Sequence, residues 1–440
     1  MKIQLSDHFT VGRLLRFTLP SILMILFTSV YSIVDGLFVS NLVGDMAFAA
    51  VNFVMPLLMI LGALGTMLGT GSCALIAMTL GEGQRERANR LFTFFTVITL
   101  TLGVAIAVPG VAFLRPLVAL MSAEGNMLDS CVSYGRIVLL ALPFFLLQYA
   151  FQSFFIVAEK PNLGLAVTAI SGVANMVLDA LLVPLWGLEG AAAATAVSQL
   201  LGGAIPLFYF ARPNTSLLRF ARFHFDGRAL FKACTNGSSE LMSNVSMSLV
   251  SMLYNIQLLK MAGEDGVSAY GVLMYVNMIF LAIFIGYSVG VSPVVGYHYG
   301  AANHEELRSL RRRSTGIILV SSVAMFLLAE LLARPLAMIF VGYKQALYEM
   351  TVQAFRICSF SFLFSGFGIF GSSFFTALND GLTSALISFL RVLVFQVAAV
   401  LLLPLIWGLD GIWASVVAAE ALAVVVTVLL LAAKRQRYGY

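Results

Sequence analysis

Residues 186–190 read Trp186-Gly187-Leu188-Glu189-Gly190, and residues 407–411 read Trp407-Gly408-Leu409-Asp410-Gly411. The second stretch repeats the first at an offset of 221 positions. Moving outward, Pro184 falls on Pro404, Ser153-Phe154-Phe155 on Ser373-Phe374-Phe375 and Arg136 on Arg356, now at an offset of 220. Further toward the N-terminus the offset is 219. It places Arg115-Pro116-Leu117 on Arg334-Pro335-Leu336, Gly81 on Gly300, Ala49-Ala50 on Ser268-Ala269 and Gly44-Asp45 on Gly263-Glu264. Only two single-residue slips separate the copies, so the chain is an internal duplication. A duplicated membrane unit is the signature of a protein that rocks one half against the other.

Composition says why the unit must be a membrane one. Of 440 residues, 60% are hydrophobic and 11% charged, and the mean hydropathy is +0.95. A soluble domain carries about 25% charged residues, so a bilayer has to be the solvent. The net charge of +5 sits in short loops and does not indicate nucleic acid. Cys73, Cys131, Cys234 and Cys358 have no spacing that suggests a metal or disulfide framework. The polar start and the long first apolar run read as a retained helix, not a cleaved leader.

A spanning helix needs about 20 apolar residues. Twelve segments qualify, near 14–40, 48–80, 91–113, 131–158, 162–183, 190–211, 236–260, 267–298, 314–333, 351–377, 382–404 and 411–433. The expected fold is an all-α polytopic membrane protein with two six-helix lobes. Six is even, so both copies start on the same side, and the pseudo-two-fold axis runs along the membrane normal. The N-terminal lobe is expected over 1–211, a basic linker over 212–235 and the C-terminal lobe over 236–440. With the N-terminus in the cytoplasm, 19 of the 26 Lys and Arg residues fall on the cytoplasmic side. That bias places both termini there, in a plasma (inner) membrane.

An ionisable group at the bilayer centre costs at least about 2.5–3.5 kcal/mol, so each is a functional candidate. Asp35 and Asp179 form the sharpest pair. Tyr31 lies one helical turn before Asp35, and Asn175 one turn before Asp179, so each pair shares a face. Pro20, upstream in the first span, removes a backbone hydrogen bond and lets that helix bend. If the two faces meet, burial and like-charge repulsion raise the carboxylates' affinity for a proton, and their oxygens suit a hard monovalent cation. The bland alternative makes Asp179 a helix-end cap facing water. Glu240, early in the seventh span, is either functional or a first-turn residue complementing the helix dipole. Glu420 aligns with Gln199, a polar residue in both copies. Arg391 is equally suited to pair with a carboxylate or to hold a ligand. No catalytic motif occurs in a credible context, and no enzyme is expected.

These residues resemble the multidrug and toxic compound extrusion (MATE) transporters. The similarity runs through Leu19-Pro20 and Tyr31-Ser32-Ile33-Val34-Asp35, the loop GEGQRERA at 81–88, Glu159-Lys160-Pro161, Asn175 to Asp179, and Gly187-Leu188-Glu189-Gly190-Ala191-Ala192. The resemblance implies an antiporter that exports amphipathic, often cationic organic compounds in exchange for H⁺ or Na⁺. It implies two lobes in a V around a central cavity. In one branch of the family the cation site matches Asp35, Asn175, Asp179 and Thr195, with Tyr31 nearby, and all five are present. Another branch uses acids in helices seven and ten; the tenth span here has none, and Glu240 lies nearer its helix start. Glu240, Tyr254, Asn255, Arg391 and Glu420 remain candidates for the substrate cavity. No cofactor is expected beyond the coupling ion; the partners are lipid and small organic molecules, and a monomer suffices. Alternatives are a lipid-linked precursor flippase of the same superfamily and a membrane-embedded enzyme. The repeat also locates the cation site. Asp35 maps onto Tyr254, Asn175 onto Phe395, Asp179 onto Ala399 and Thr195 onto Val416, so the set occurs in the first copy only.

Overall fold

In a bilayer no water satisfies exposed backbone groups, so an apolar chain spans it as helices. The computed structural model describes residues 3–43, 45–120 and 125–440; the landmark Gly44 lies outside them. Among the described residues the regular structure is helical throughout. The order is α1 (Val11–Leu42), α2 (Asp45–Gly81), α3 (Arg85–Leu120), α4 (Gly125–Leu140), α5 (Leu142–Val157), α6 (Pro161–Ala211) and α7 (Gly227–Gly300). It continues with α8 (His304–Val341), α9 (Gln345–Ser359), α10 (Phe362–Ala377), α11 (Gly381–Phe389), a π turn (Leu390–Val394), α12 (Phe395–Leu402), α13 (Pro404–Trp407) and α14 (Leu409–Tyr438). Hydroxyls inside these helices bond back to their own backbone, as Thr18 does to Leu14 O and Thr99 to Phe95 O, which hides them from lipid.

At 1.5 Å per residue, α6 with its 51 residues and α7 with its 74 far exceed the ~30 Å hydrocarbon core. Each is two spans joined at one glycine. Gly187 has φ 58° and ψ −130°, and Gly263 has φ 64° and ψ −152°, a region open in practice only to glycine. Counted this way, with α4–α5 (bent by 55°) and α9–α10 (bent by 49°) as single broken spans, the chain crosses twelve times.

The repeat is visible in the backbone itself. Gly408, the counterpart of Gly187, has φ 58° and ψ −135°. A methyl on Gly190 would collide with Leu182 O, and one on Gly411 with Leu403 O. The two glycines of each Trp-Gly-Leu-acid-Gly stretch therefore do different jobs: the first reverses the chain, the second lets the returning helix start close to the departing one. Glu159 and Asn379 both adopt φ 59° at equivalent turns, and Gly83 (φ 78°) is matched by Ala302 (φ 52°).

Helix α7 begins at Gly227, not at 236. Asp226 accepts a hydrogen bond from Ala229 N at 3.0 Å and so caps a polar extension that hydropathy alone does not reveal. The remaining linker packs on the N-terminal lobe. Phe220 stacks on Phe92 with centroids 5.2 Å apart, Leu218 is fully buried, and Ala221 N donates to Thr93 Oγ1 at 2.9 Å.

The lobes meet toward the end that carries both chain termini. There, methyls on Gly71 and Gly237 would overlap backbone atoms of the opposite lobe, and so would methyls on Gly81 and Gly300. So α2 crosses the first half of α7, and its end crosses the end of α7; Gly81 and Gly300 are repeat equivalents of each other. Gly286 packs on Ile22, and Gly290 on Thr18 and Ser21. The N-terminal segment adds a bridge, with Phe9 N donating to Glu306 Oε1 at 2.9 Å and His8 Nδ1 lying 2.6 Å from Glu306 Oε2. By contrast, a methyl on Gly36 or Gly271 would meet nothing within 4 Å.

Candidate functional site

Helix α1 lies against the first half of α6 because Gly172 offers no side chain where Phe27 and Tyr31 cross it. A methyl there would come within 2.7 Å of Phe27 Cε1 and 2.8 Å of Tyr31 Cδ1. This close crossing brings the Tyr31–Asp35 face onto the Asn175–Asp179 face, a meeting that the four-residue spacings allow but do not fix. Asp35 is 8% exposed, Asn175 2% and Asp179 0%, and Asp35 is in side-chain range of both Asp179 and Asn175. Full burial of Asp179 removes the reading of it as a water-facing cap.

The oxygens in this set lack partners. Asp35 Oδ1, both carboxylate oxygens of Asp179 and the Thr195 hydroxyl are buried without a hydrogen bond. No Lys or Arg pairs with either aspartate among the described residues. Two charges left so in a low-dielectric interior would cost several kcal/mol each. The arrangement therefore calls for a proton or a small cation. Its donors are hard oxygens, which suit H⁺ or Na⁺ and not a soft metal. No group of three His, Cys, Asp or Glu residues able to hold a metal occurs among the described residues.

Tyr134 of α4 completes the wall. It is 1% exposed and lies beside Thr195, Asp35 and Asp179. Gln148 of α5 reaches Tyr31. Sequence reading passed over both, although the repeat held a signal for Tyr134: its counterpart is Ala354, so this phenol, like the aspartates, is confined to the first copy. Pro20 is buried in an α1 that stays helical from Val11 to Leu42. It sits directly before the Ser21–Ile22 crossing with Gly286, where α1 touches the other lobe.

The C-terminal lobe has a buried polar set of its own, at positions that do not match the aspartates. Arg391 stands on the π turn Leu390–Val394, a widened turn that often marks functional helices. Its Nε donates to Glu420 Oε1 at 3.0 Å and Oε2 at 3.1 Å, with side chains only 12% and 4% exposed. Gly368 makes room: a methyl there would lie 2.9 Å from Arg391 Cδ. The repeat counterparts are Gln148, Ser171 and Gln199, a neutral group in which Gln148 Nε2 donates to Ser171 Oγ at 3.4 Å. Glu240 also faces the Arg391 charge. Because α7 begins at Gly227, Glu240 stands well inside the helix, about 20 Å from its start, and is not a first-turn residue. Tyr254 is 1% exposed, bonded to Ser415 Oγ at 2.5 Å and stacked on Tyr270 at 5.2 Å. It is packed inside the lobe, while Asn255 beside it is half-buried. The structure thus groups Glu240, Arg391 and Glu420 and sets Tyr254 in the packing.

Comparison with known proteins agrees with this architecture. A family model, MatE, matches twice, over residues 20–181 and 241–402, once on each repeat. Multidrug export protein MepA of Staphylococcus haemolyticus is 22% identical over 429 residues, covering 96% of this chain and 94% of its own. MepA of Staphylococcus aureus strain MRSA252 is 22% identical over 446 residues, with the same coverage. Among solved structures, a MATE family transporter of the MOP superfamily in an outward-facing conformation superposes with a TM-score of 0.92 at 22% identity, covering 98% of this chain and 97% of its own. A MOP superfamily transporter from Pyrococcus furiosus gives 0.91 at 22% identity, with 98% of each chain covered. The duplicated twelve-span frame and the double match lead to one conclusion: this chain is a multi-pass membrane transporter, not an enzyme, and belongs to the MatE family, the multidrug and toxic compound extrusion transporters.

Proposed function

We propose that the protein is a cation-coupled antiporter that exports amphipathic, often cationic organic compounds by alternating access. The observation that carries this reading is the buried, uncompensated carboxylate pair of Asp35 and Asp179, with orphan oxygens on α1 and α6. Asn175, Thr195 and Tyr31 complete the coupling site, which takes H⁺ or Na⁺. Loading it relieves the repulsion between the two carboxylates and changes how α1 packs on α6. The Gly286 crossing at Ser21–Ile22 lies on α1 between Pro20 and that site, so repacking of α1 is felt where the lobes touch.

The lobes, N-terminal over 1–211 and C-terminal over 236–440 with the linker 212–235 between them, rock about the glycine contacts while substrate occupies the space between them. Exposed Met247, Met252 and Met274 supply the adaptable apolar surface that varied substrates need, and Glu240 supplies negative charge. The termini and basic loops face the cytoplasm of a bacterial cell, and a single chain is the working unit. A lipid-linked precursor flippase would need a cationic cavity, and Glu420 already neutralises Arg391.

Reconstituted protein with H⁺ and Na⁺ gradients imposed separately should export a fluorescent organic cation with one of the two. Asp35→Asn should abolish the gradient dependence. Full gradient-driven export by that variant would overturn the coupling assignment.

A further inference from the structure

The repeat offers an internal control at the end of the molecule opposite the termini. In the N-terminal lobe Arg115 pairs with Asp129 at 3.0 Å. Their counterparts are Arg334 and Glu349, which form no ion pair. The reason lies one turn earlier: Gln345 Nε2 donates to Glu349 Oε1 at 2.7 Å and holds that carboxylate away, whereas the equivalent residue in the first copy is Gly125, with no side chain to do so. The surrounding frame is otherwise kept. Ser133 bonds Glu189 at 2.6 Å in one lobe, and Gln353 bonds Asp410 at 2.7 Å at the same place in the other.

Where the ion pair is missing, a cavity of about 570 Å³ opens, lined by Arg334, Glu349, Arg356, Tyr348 and Gln353 among others. Neither Arg334 nor Arg356 has a carboxylate partner among the described residues. The cavity lies between α8 and the tilted α9, on the outside of the lobe. Beside it run exposed apolar side chains of α8, Leu331 at 74% and Ile339 at 76%, with Trp407 at 59% nearby. Trp at such a level marks the lipid headgroup region.

We propose that this groove is a phospholipid headgroup site that prefers a phosphodiester carrying a primary ammonium, as in phosphatidylethanolamine. The two guanidinium groups take the phosphate, for which their planar donor geometry is suited. Glu349, parted from Arg334, takes the ammonium, and the acyl chains lie along the exposed face of α8. The headgroup fills the gap that an ion pair closes in the other lobe.

The test is native mass spectrometry of the purified full-length transporter, titrated with short-chain phosphatidylethanolamine, phosphatidylglycerol and phosphatidylcholine, and with inorganic phosphate. Phosphatidylethanolamine should bind most tightly. The double variant Arg334→Gln/Arg356→Gln should weaken it about tenfold or more, the loss of at least one charge-assisted contact. Glu349→Gln should erase the preference over phosphatidylglycerol while leaving phosphatidylglycerol bound, and Arg115→Gln should change nothing. Unaltered binding in the double variant overturns the proposal. So does a wild-type preference for phosphatidylglycerol, which marks a plain anionic-lipid site, or equal affinity for inorganic phosphate, which marks a free-anion site.

Discussion

The two lobes share their hinges and differ in their polar interiors. Gly187 and Gly408 turn the chain through the same angles, and Glu159 and Asn379 occupy the same left-handed turn. Gly71 and Gly290 each cross the first span of the other lobe. Inside the lobes the likeness ends. The N-terminal lobe holds two carboxylates with unpartnered oxygens. The C-terminal lobe holds a closed Arg391–Glu420 pair. One lobe therefore needs something from outside to balance its charge, and the other has balanced most of it internally. The turn glycines and the Gly71/Gly290 and Gly81/Gly300 contacts are bound by close backbone approach and are kept in both copies; side chains facing a lobe interior have diverged.

Four experiments press on that contrast. The largest effect is expected from Glu420→Ala, which strands a buried guanidinium. Unfolding in detergent should show a loss of about 3–5 kcal/mol, whereas Gln199→Ala at the matching N-terminal position should cost roughly 1 kcal/mol. Replacing both partners, Arg391→Met with Glu420→Met, should recover most of the loss; no recovery would mean that the pair does more than balance charge. Next, Asp179→Asn should lower gradient-driven export roughly 5–150-fold, the range of a coupling free energy of ~1–3 kcal/mol. Introducing the missing carboxylate as Ala399→Asp should give the C-terminal lobe no coupling of its own.

Third, Gly237→Ala pushes a methyl against Met67 O. Overpacking of this kind costs about 1–3 kcal/mol, and here it falls on the state in which the lobes touch. Spin-label distances across the termini-bearing end should lengthen, while Gly271→Ala, with open space around it, should leave them unchanged. Equal responses from both would remove the glycine contacts as the rocking surface.

The smallest effect concerns Asp380, whose counterpart is Lys160. Burial would lift its carboxyl, but the Lys434 ammonium at 2.6 Å and the Thr383 hydroxyl outweigh that and hold it below its ordinary value. A folded-state pKa below the unfolded one means the stabilisation is present above about pH 4, the ordinary Asp value, and fades as pH falls through the depressed one. The stability gap between wild type and Asp380→Asn, about 1 kcal/mol or less, should close on acidification. A gap that widened instead would reverse the sign of the assignment.

The spans, the duplication and the shared faces of Tyr31 with Asp35 and of Asn175 with Asp179 were legible in the sequence because each rests on periodicity. Apolar runs longer than 20 residues, an offset that slips twice, and polar residues spaced one turn apart are all local patterns. Tyr134 has no periodic signature in its apolar helix; only its mismatch with Ala354 in the second copy sets it apart in the sequence. The start of α7 was missed because a capping Asp226 followed by a polar turn reads like loop. Arg391 suits a carboxylate or a ligand equally by its position in the chain, and only the fold sets Glu420, on a helix one span later, across from it. The opened ion pair at Arg334 depends on whether Glu349 turns toward Gln345, a choice among rotamers that spacing does not encode.

By itself, then, the amino-acid order determined the membrane solvent, the twelve crossings, the two-lobed frame and the location of the carboxylates in one copy only. These follow from hydropathy, chain reversal at glycine and helical spacing, which act over a few residues. The tertiary structure decided which charges are neutralised and which are left wanting. Arg391 is closed off by Glu420, the Asp35–Asp179 oxygens are not, and Arg334 and Glu349 are held apart. Charge balance in a low-dielectric interior depends on distances between residues far apart in the chain, and only the packed lobes set those distances.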